Sequence, residues 1–443
     1  MAIVLLSILL VGVVILVVLA TKNHGFNGLW MISPPVMMCG LFVAAQLPGV
    51  ILTAAVGERS SILAAHFLWF IGVLFALIIT PGAGSDNLPA RNYLRGNVSV
   101  FRGFLLLGFV SIVVYYLALG RVPLFIAIGG YLGGGDGMTL MEARRANTLM
   151  HRSGDTFYFG QGYIKHIFLT VAPVFLVAYV LLKRSKGMRL GVGLLGLAFV
   201  FMFSNILNGG IGPAVLILIF YFAAYVLYKR LFDPGYSFKS LLRYGVIAYL
   251  AAVLLIMGLR ILQAMGGRNL ETPVIDAIHR TFTYLGAPMF DVFPRTYPFR
   301  FGETWINDLS GMLPGAVEAF AYEAHYLAHG GGWGYTLWVG IVAGAYINFG
   351  LVGPLVTGFA LGLIYNVLFV NLSRSNSAVR LAVCVMISHG FATAMMADLV
   401  TYVVNLVTAF AIIAIYIVLN SMLRLGRNVR TVAGVRSTTG GRF

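Results

Sequence analysis

Residues 2–20 read Ala2-Ile-Val-Leu-Leu-Ser-Ile-Leu-Leu-Val-Gly-Val-Val-Ile-Leu-Val-Val-Leu-Ala20. The run holds one hydroxyl and no charge. As a helix rising about 1.5 Å per residue, it reaches roughly across the ~30 Å hydrocarbon core of a bilayer. It lacks a basic leader and exceeds the apolar length of a signal peptide, so it reads as a first membrane span. Comparable runs recur along the chain. We expect eleven spans, at 2–21, 29–54, 61–80, 99–119, 166–183, 190–208, 211–228, 243–261, 350–372, 378–396 and 402–424. The residue-by-residue alternation of membrane β-barrels is absent. The fold class expected is therefore all-α, a polytopic integral membrane protein. Residues 1–424 form one membrane domain, and 425–443 a basic cytoplasmic tail read as disordered.

Composition agrees. Of 443 residues, 60% are hydrophobic and only 10% charged, and the mean hydropathy is +0.91. A soluble domain carries about 25% charged residues, and this chain has too few to cover a solvated surface. A cytosolic enzyme, a disordered chain and a nucleic-acid-binding domain are excluded. Cys39 and Cys384 both fall inside apolar runs, so no disulfide framework is implied.

The net charge of +16 has a topological origin. With the C-terminus placed inside, the alternating connections hold 19 bases and two acids on the inner face. The outer face holds 11 bases and 12 acids. The positive-inside rule then sets the N-terminus outside. Two connections are far longer than the rest, 120–165 and 262–349, and both fall outside. Titratable residues within spans are few, His66 and His389 being the clearest, and they read as packing residues. A carrier would be expected to concentrate polar groups near the midplane. Here the chemistry-bearing groups gather in the two outer segments.

The first outer segment has a glycine-rich stretch, Gly129–Gly137, and a helix-like run with Arg144, Arg145 and Arg152. The glycines suit either an anion-cradling loop or a plain connector. The guanidinium forks suit either phosphate recognition or lipid head groups. The second segment mixes Arg260, Arg280, Arg295 and Arg300 with Asp291, Glu303, Glu323, His325 and His329. Among them stand Tyr297, Trp305, Tyr322, Tyr326 and Trp333. Rings that stack on sugars, carboxylates that take a proton and arginines that hold phosphate would form a sugar-phosphate site. An interfacial aromatic belt is the competing reading. Glu318, Tyr322, His325 and His329 share a helical face by spacing. The two histidines have the spacing of zinc ligands, but no third ligand is placed, and no metal is expected.

The stretch Tyr297–Tyr365 carries Phe301-Gly302-Glu303-Thr304, Pro314, and Gly332-Trp333-Gly334-Tyr335-Thr336. It continues with Tyr346-Ile-Asn348-Phe349-Gly350-Leu-Val-Gly353 and Gly362-Leu-Ile-Tyr365. In this order it resembles the C-terminal half of the Wzy-type O-antigen polymerases, which join oligosaccharide repeat units. Gly120-Arg121-Val-Pro123 and Glu142-Ala-Arg144-Arg145-Ala-Asn147 are similar to that family's first large loop. Ala345 stands where an acidic residue would be expected before the aromatic, so one family carboxylate is missing.

The resemblance implies a GT-C-like, metal-independent, inverting glycosyltransferase of the bacterial inner membrane with no cofactor. Its substrate would be an undecaprenyl-pyrophosphate-linked oligosaccharide, and its partners membrane lipids, a chain-length regulator and a flippase. Arg295, Arg300, Arg260 and Arg280 are the candidates to hold the pyrophosphate, with Arg144, Arg145 and Arg121 as alternatives. Glu323 or His325, then Glu303 and Asp291, are the candidate bases. The small residues of Gly340–Gly362 are expected to line a lateral lipid groove. An O-antigen ligase-like transferase and a lipid-linked oligosaccharide transporter are the alternatives.

Overall fold

The computed structural model describes residues 2–24, 29–56, 60–80, 94–120, 122–132, 161–207, 211–233, 288–293, 295–310, 320–329, 339–395, 397 and 399–439. Residues 240, 243, 245–247, 250, 254 and 258 are described as isolated helical positions within the expected eighth span. The described elements are helices, joined by one isolated bridge between Arg95 and Ser377. Eight helical segments among the described residues are long and apolar enough to cross a membrane. They are Leu6–Asn23, Pro34–Ile51, Ser61–Ile79, Val98–Leu119, Ile164–Ser185, Ala214–Phe232, Val352–Ser373 and Leu399–Leu423. Each overlaps an expected span. Val192–Leu207 and Ala378–Thr393 are apolar but shorter. The chain is thus an all-helical polytopic membrane protein.

We number the helices in chain order. The first ten are α1 (Ala2–His24), α2 (Pro34–Leu41), α3 (Leu47–Val56), α4 (Ser60–Ile79), α5 (Val98–Leu119), α6 (Pro123–Leu132), α7 (Gln161–His166), α8 (Ala172–Ser185), α9 (Val192–Leu207) and α10 (Ile211–Phe232). Then follow α11 (Met289–Val292), α12 (Glu303–Ser310), α13 (Phe320–His329), α14 (Ile341–Phe349), α15 (Val352–Ser373), α16 (Ala378–Ala394) and α17 (Leu399–Thr439). The last helix continues past residue 424, where the sequence reading ends the span and begins the basic tail. Two π-helical turns interrupt spans, Phe42–Gln46 between α2 and α3 and Ile167–Val171 between α7 and α8. Each lies just before a proline, Pro48 and Pro173. Proline has no N–H to donate to the preceding turn, and a widened turn absorbs that gap.

In lipid the hydrophobic effect does not draw one helix to another, so close packing must do so. Helices α4 and α15 show how. Gly358 and Gly362 are four residues apart on α15 and face α4. A Cβ on Gly358 would run into the backbone of Trp69, and one on Gly72 into the backbone at Leu355 and Phe359. Gly362 lies against Val73 and Ala76. Gly353 is equally close to the carbonyl of Ala345. These glycines therefore close a helix interface, which corrects the expectation that the Gly340–Gly362 region lines an open groove. Beside them, Tyr365 donates to the carbonyl of Tyr402 at 2.8 Å, and Tyr402 to that of Phe391 at 3.2 Å. Those buried hydroxyls tie α15, α16 and α17 together. Outward faces are apolar, as on α1 with Val11, Val14 and Val18, which suits lipid contact.

The two ends of the bundle are built differently. At one end, Arg95 N–H donates to Asn376 O at 2.7 Å and Ala378 N–H to Arg95 O at 3.0 Å. Asn97 caps α5 through Ser99 N–H at 3.0 Å, and its amide reaches Asn420 at 3.4 Å. Lys186 lines the same corner. These are the connections that the charge count places inside. The other end of α15, about 33 Å away for 22 residues, carries α11, α12, α13 and α14.

Candidate functional site

The site is built on a turn at 299–304. Phe301 has φ 48°, an unusual conformation for a residue with a side chain, and Gly302 follows at φ 94°. Something must hold the backbone there, and Asn348 does. Its Oδ1 accepts from Gly302 N–H at 2.8 Å. Its Nδ2 donates to Thr304 Oγ1 at 2.6 Å and to Gly344 O at 2.9 Å. Arg300 N–H donates to Ile347 O at 3.1 Å and Phe301 N–H to Asn348 O at 3.0 Å. Asn348 is fully buried, so this network is what makes an amide tolerable in an apolar helix. Gly350, with φ 62° and ψ −150°, turns the chain from α14 into α15 in a conformation that glycine alone adopts freely. The Phe301–Thr304 and Tyr346–Gly353 segments are therefore one hydrogen-bonded unit.

Rings surround that unit. Tyr346 packs between Phe290 and Phe299, with centroids 4.8 and 6.0 Å away. Phe290 also lies 6.5 Å from the ring of His66 on α4. Trp305 meets Phe349 edge-on at 5.5 Å. His66 and His389 are both buried against rings, His66 by Phe42 and His389 by Phe220.

The turn aims Arg300 at two carboxylates. Its Nη1 pairs with Glu303 Oε2 at 3.3 Å, and its Nη2 with Glu323 Oε1. Glu303 opens α12 and Glu323 lies in the first turn of α13, where helix dipoles favour negative charge. Helix α13 is itself fixed by Asp308, whose buried Oδ1 accepts from Phe320 N–H at 2.7 Å. Arg300 is about three-quarters buried, with a side-chain exposure of 24%, against 38% for Glu323 and 56% for Glu303. The cluster is thus reachable from solvent on its carboxylate side.

The other candidate residues are distributed around it. Arg295 lies exposed on the turn after α11. Tyr297 is half-buried against Phe293 at 5.9 Å, and Trp305 is half-buried in the ring cluster. Tyr326 is exposed. His325 is half-buried on α13, two residues beyond Glu323, and so faces away from it around the helix. Asp291 lies on α11, and Tyr322 and His329 on α13, with side chains outside the described residues. Arg121, Arg144, Arg145, Arg260, Arg280, Glu318 and Trp333 lie outside the described residues altogether. Among the described residues, no three His, Cys, Asp or Glu side chains gather as a metal site.

Sequence reasoning gives Asn348 only as part of a motif and counts Asp308 among the second segment's charges without a role. The available signal is their type. A lone amide amid Tyr346-Ile-Asn348-Phe349 must have partners to be stable in an apolar environment. Asn348→Ala is expected to cost about 2–3 kcal/mol by leaving buried donors and acceptors unsatisfied. Thermal unfolding in detergent measures it. Asp308→Ala should cost about 1 kcal/mol through the lost cap, with Asp308→Asn retaining most of the stability in the same assay.

No protein-family model matches this chain, and neither a curated protein nor a solved structure does.

Proposed function

We propose that the chain is a membrane glycosyltransferase that polymerises lipid-linked oligosaccharide repeat units at the extracytoplasmic leaflet. The observation that carries this reading is the partly exposed group of Arg300, Glu303 and Glu323. It lies at the end of the bundle opposite the junction formed by Arg95, Asn376 and Lys186. A cation and carboxylates beside aromatic rings, at one end of an apolar helix bundle, suit a substrate that joins a lipid, a pyrophosphate and sugars. The charge asymmetry of the connections supports placing that end outside.

The reaction that the family resemblance implies gives these groups their roles. A hydroxyl oxygen of the incoming lipid-linked unit attacks the anomeric carbon of the growing chain's reducing-end sugar. A new C–O bond forms, and the bond from that carbon to the pyrophosphate oxygen breaks. The leaving undecaprenyl pyrophosphate keeps the electron pair, and the hydroxyl proton passes to a carboxylate. Arg300 stabilises the leaving charge, and Glu323 takes the proton. Attack from the face opposite the leaving group inverts the anomeric centre. Arg295, exposed on the turn after α11, is the second cation this reading offers.

Purified protein in liposomes, supplied with a single lipid-linked repeat unit, tests this. A ladder of products is expected. Transfer of one glycan to a different lipid acceptor, with no ladder, would indicate a ligase. Movement of the substrate across the bilayer without a new glycosidic bond would indicate a transporter.

A further inference from the structure

Both terminal nitrogens of Arg300 are already engaged by the protein's own carboxylates. One guanidinium with two carboxylates carries a net charge of −1. In this state the group repels a pyrophosphate instead of clamping it. We propose that the Arg300–Glu323 pair is an exchange switch. The donor's pyrophosphate displaces Glu323 from Arg300, and the displaced carboxylate is then free to accept the acceptor's hydroxyl proton. This rests on the polymerase reading and deepens it. It makes donor binding the event that exposes the base, so the donor binds first and the acceptor second.

Chain connectivity distinguishes the two partners. The Arg300 backbone is pinned to Ile347, and the next residues to Asn348, so the turn that carries the arginine stays in place. Glu303 belongs to the same turn, its N–H bonded to Arg300 O at 2.9 Å, so it travels with the arginine. Glu323 comes from α13, 23 residues on. That helix has its own cap in Asp308, so opening the ion pair loosens its first turn without unfolding the helix. A static tether between α13 and the turn is the contrary view, in which Glu323 never leaves Arg300.

Binding of farnesyl pyrophosphate to the purified full-length protein in detergent separates the two. Wild type, Glu323→Gln, Glu303→Gln and Arg300→Ala are compared, with farnesol as the uncharged control and thermal unfolding to confirm that each variant is folded. Partly exposed ion pairs contribute up to about 1 kcal/mol, so removing the competing charge should tighten binding by up to roughly fivefold in Glu323→Gln. Farnesol binding should not change. Adding farnesyl pyrophosphate should also speed hydrogen exchange in α13 of wild type, and should not do so in Glu323→Gln. If Glu323→Gln binds no tighter while Arg300→Ala loses binding, the switch is wrong and Arg300 is a fixed anion clamp, which leaves the polymerase reading intact. If Arg300→Ala binds as wild type does, the arginine is not at the anion site, and both the switch and the assignment beneath it fail. Equal tightening for farnesol would also overturn the switch, because the gain would not be electrostatic.

Discussion

Arg300→Ala is expected to abolish the polymer ladder while the protein remains inserted and abundant. The substitution removes the guanidinium that would meet the leaving pyrophosphate, and it leaves Glu303 and Glu323 without their cation. Losing a charged contact to the reacting group costs roughly 2–5 kcal/mol, which lowers the rate by about thirtyfold to several thousandfold. The folding cost is much smaller. The Glu partners are over a third exposed, and such pairs contribute about 1 kcal/mol or less once screened by solvent. The backbone of the turn is held by Ile347 and Asn348, independently of the arginine's head group. Arg300→Lys keeps the charge but not the two-pronged fork, and should fall between wild type and alanine. Arg295→Ala should lower the ladder by less, because Arg295 lies exposed on the turn outside the cluster. The readouts are the ladder in cells and in liposomes, with membrane abundance measured beside it. An unchanged ladder in both the Arg295→Ala and Arg300→Ala variants would remove these residues from the site.

The second large effect lies away from the chemistry. Gly358→Leu on α15 should cost roughly 3 kcal/mol, because overpacking a closed interface forces whole elements apart. The obstacle is the backbone at Trp69, which cannot rotate away as a flexible side chain could. Gly72→Leu on the facing helix meets the backbone at Leu355 and Phe359 and should behave alike. Gly12→Leu on α1 and Gly40→Leu on α2 point into open space and serve as controls with little effect. Unfolding temperature in detergent is the measurement. Separating α4 from α15 should also lower the ladder, since α15 begins at the Asn348–Gly353 turn that positions Arg300. A Gly358→Leu protein as stable as wild type would contradict the packing described.

The legible and illegible parts of the structure divide on a physical line. Span positions depend on local composition over about 20 residues, and Ala2–Ala20 or Ser61–Ile79 can be read by length alone. The shorter helices at Val192–Leu207 and Ala378–Thr393 could be placed too, since each is predominantly apolar. Contacts between distant residues leave no such trace. Thr304 and Asn348 each stand out in a motif, yet their bond across 44 residues follows from the fold. The same holds for Arg300 and Glu323, read as separate agents and found joined. Gly358 and Gly362 are small residues in an apolar run, a pattern that suits an open groove or a closed interface equally; only the position of α4 decides. His325 shows the limit of helical spacing. It shares α13 with Glu323 but lies on another side of it, so the two cannot converge on one hydroxyl through that helix alone.

The placement of the Arg300 end outside the cytoplasm is the claim from which the rest follows, and single cysteines test it directly. Cys39 and Cys384 are buried and should give little background. Arg295→Cys marks the end that carries Arg300, and Asn376→Cys the end that carries Arg95; both positions are exposed. In right-side-out spheroplasts treated with a membrane-impermeant maleimide, Arg295→Cys should label at once and Asn376→Cys only after permeabilisation. Labelling of Asn376→Cys in intact spheroplasts, with Arg295→Cys protected, would put the cluster on the cytoplasmic side and contradict the account.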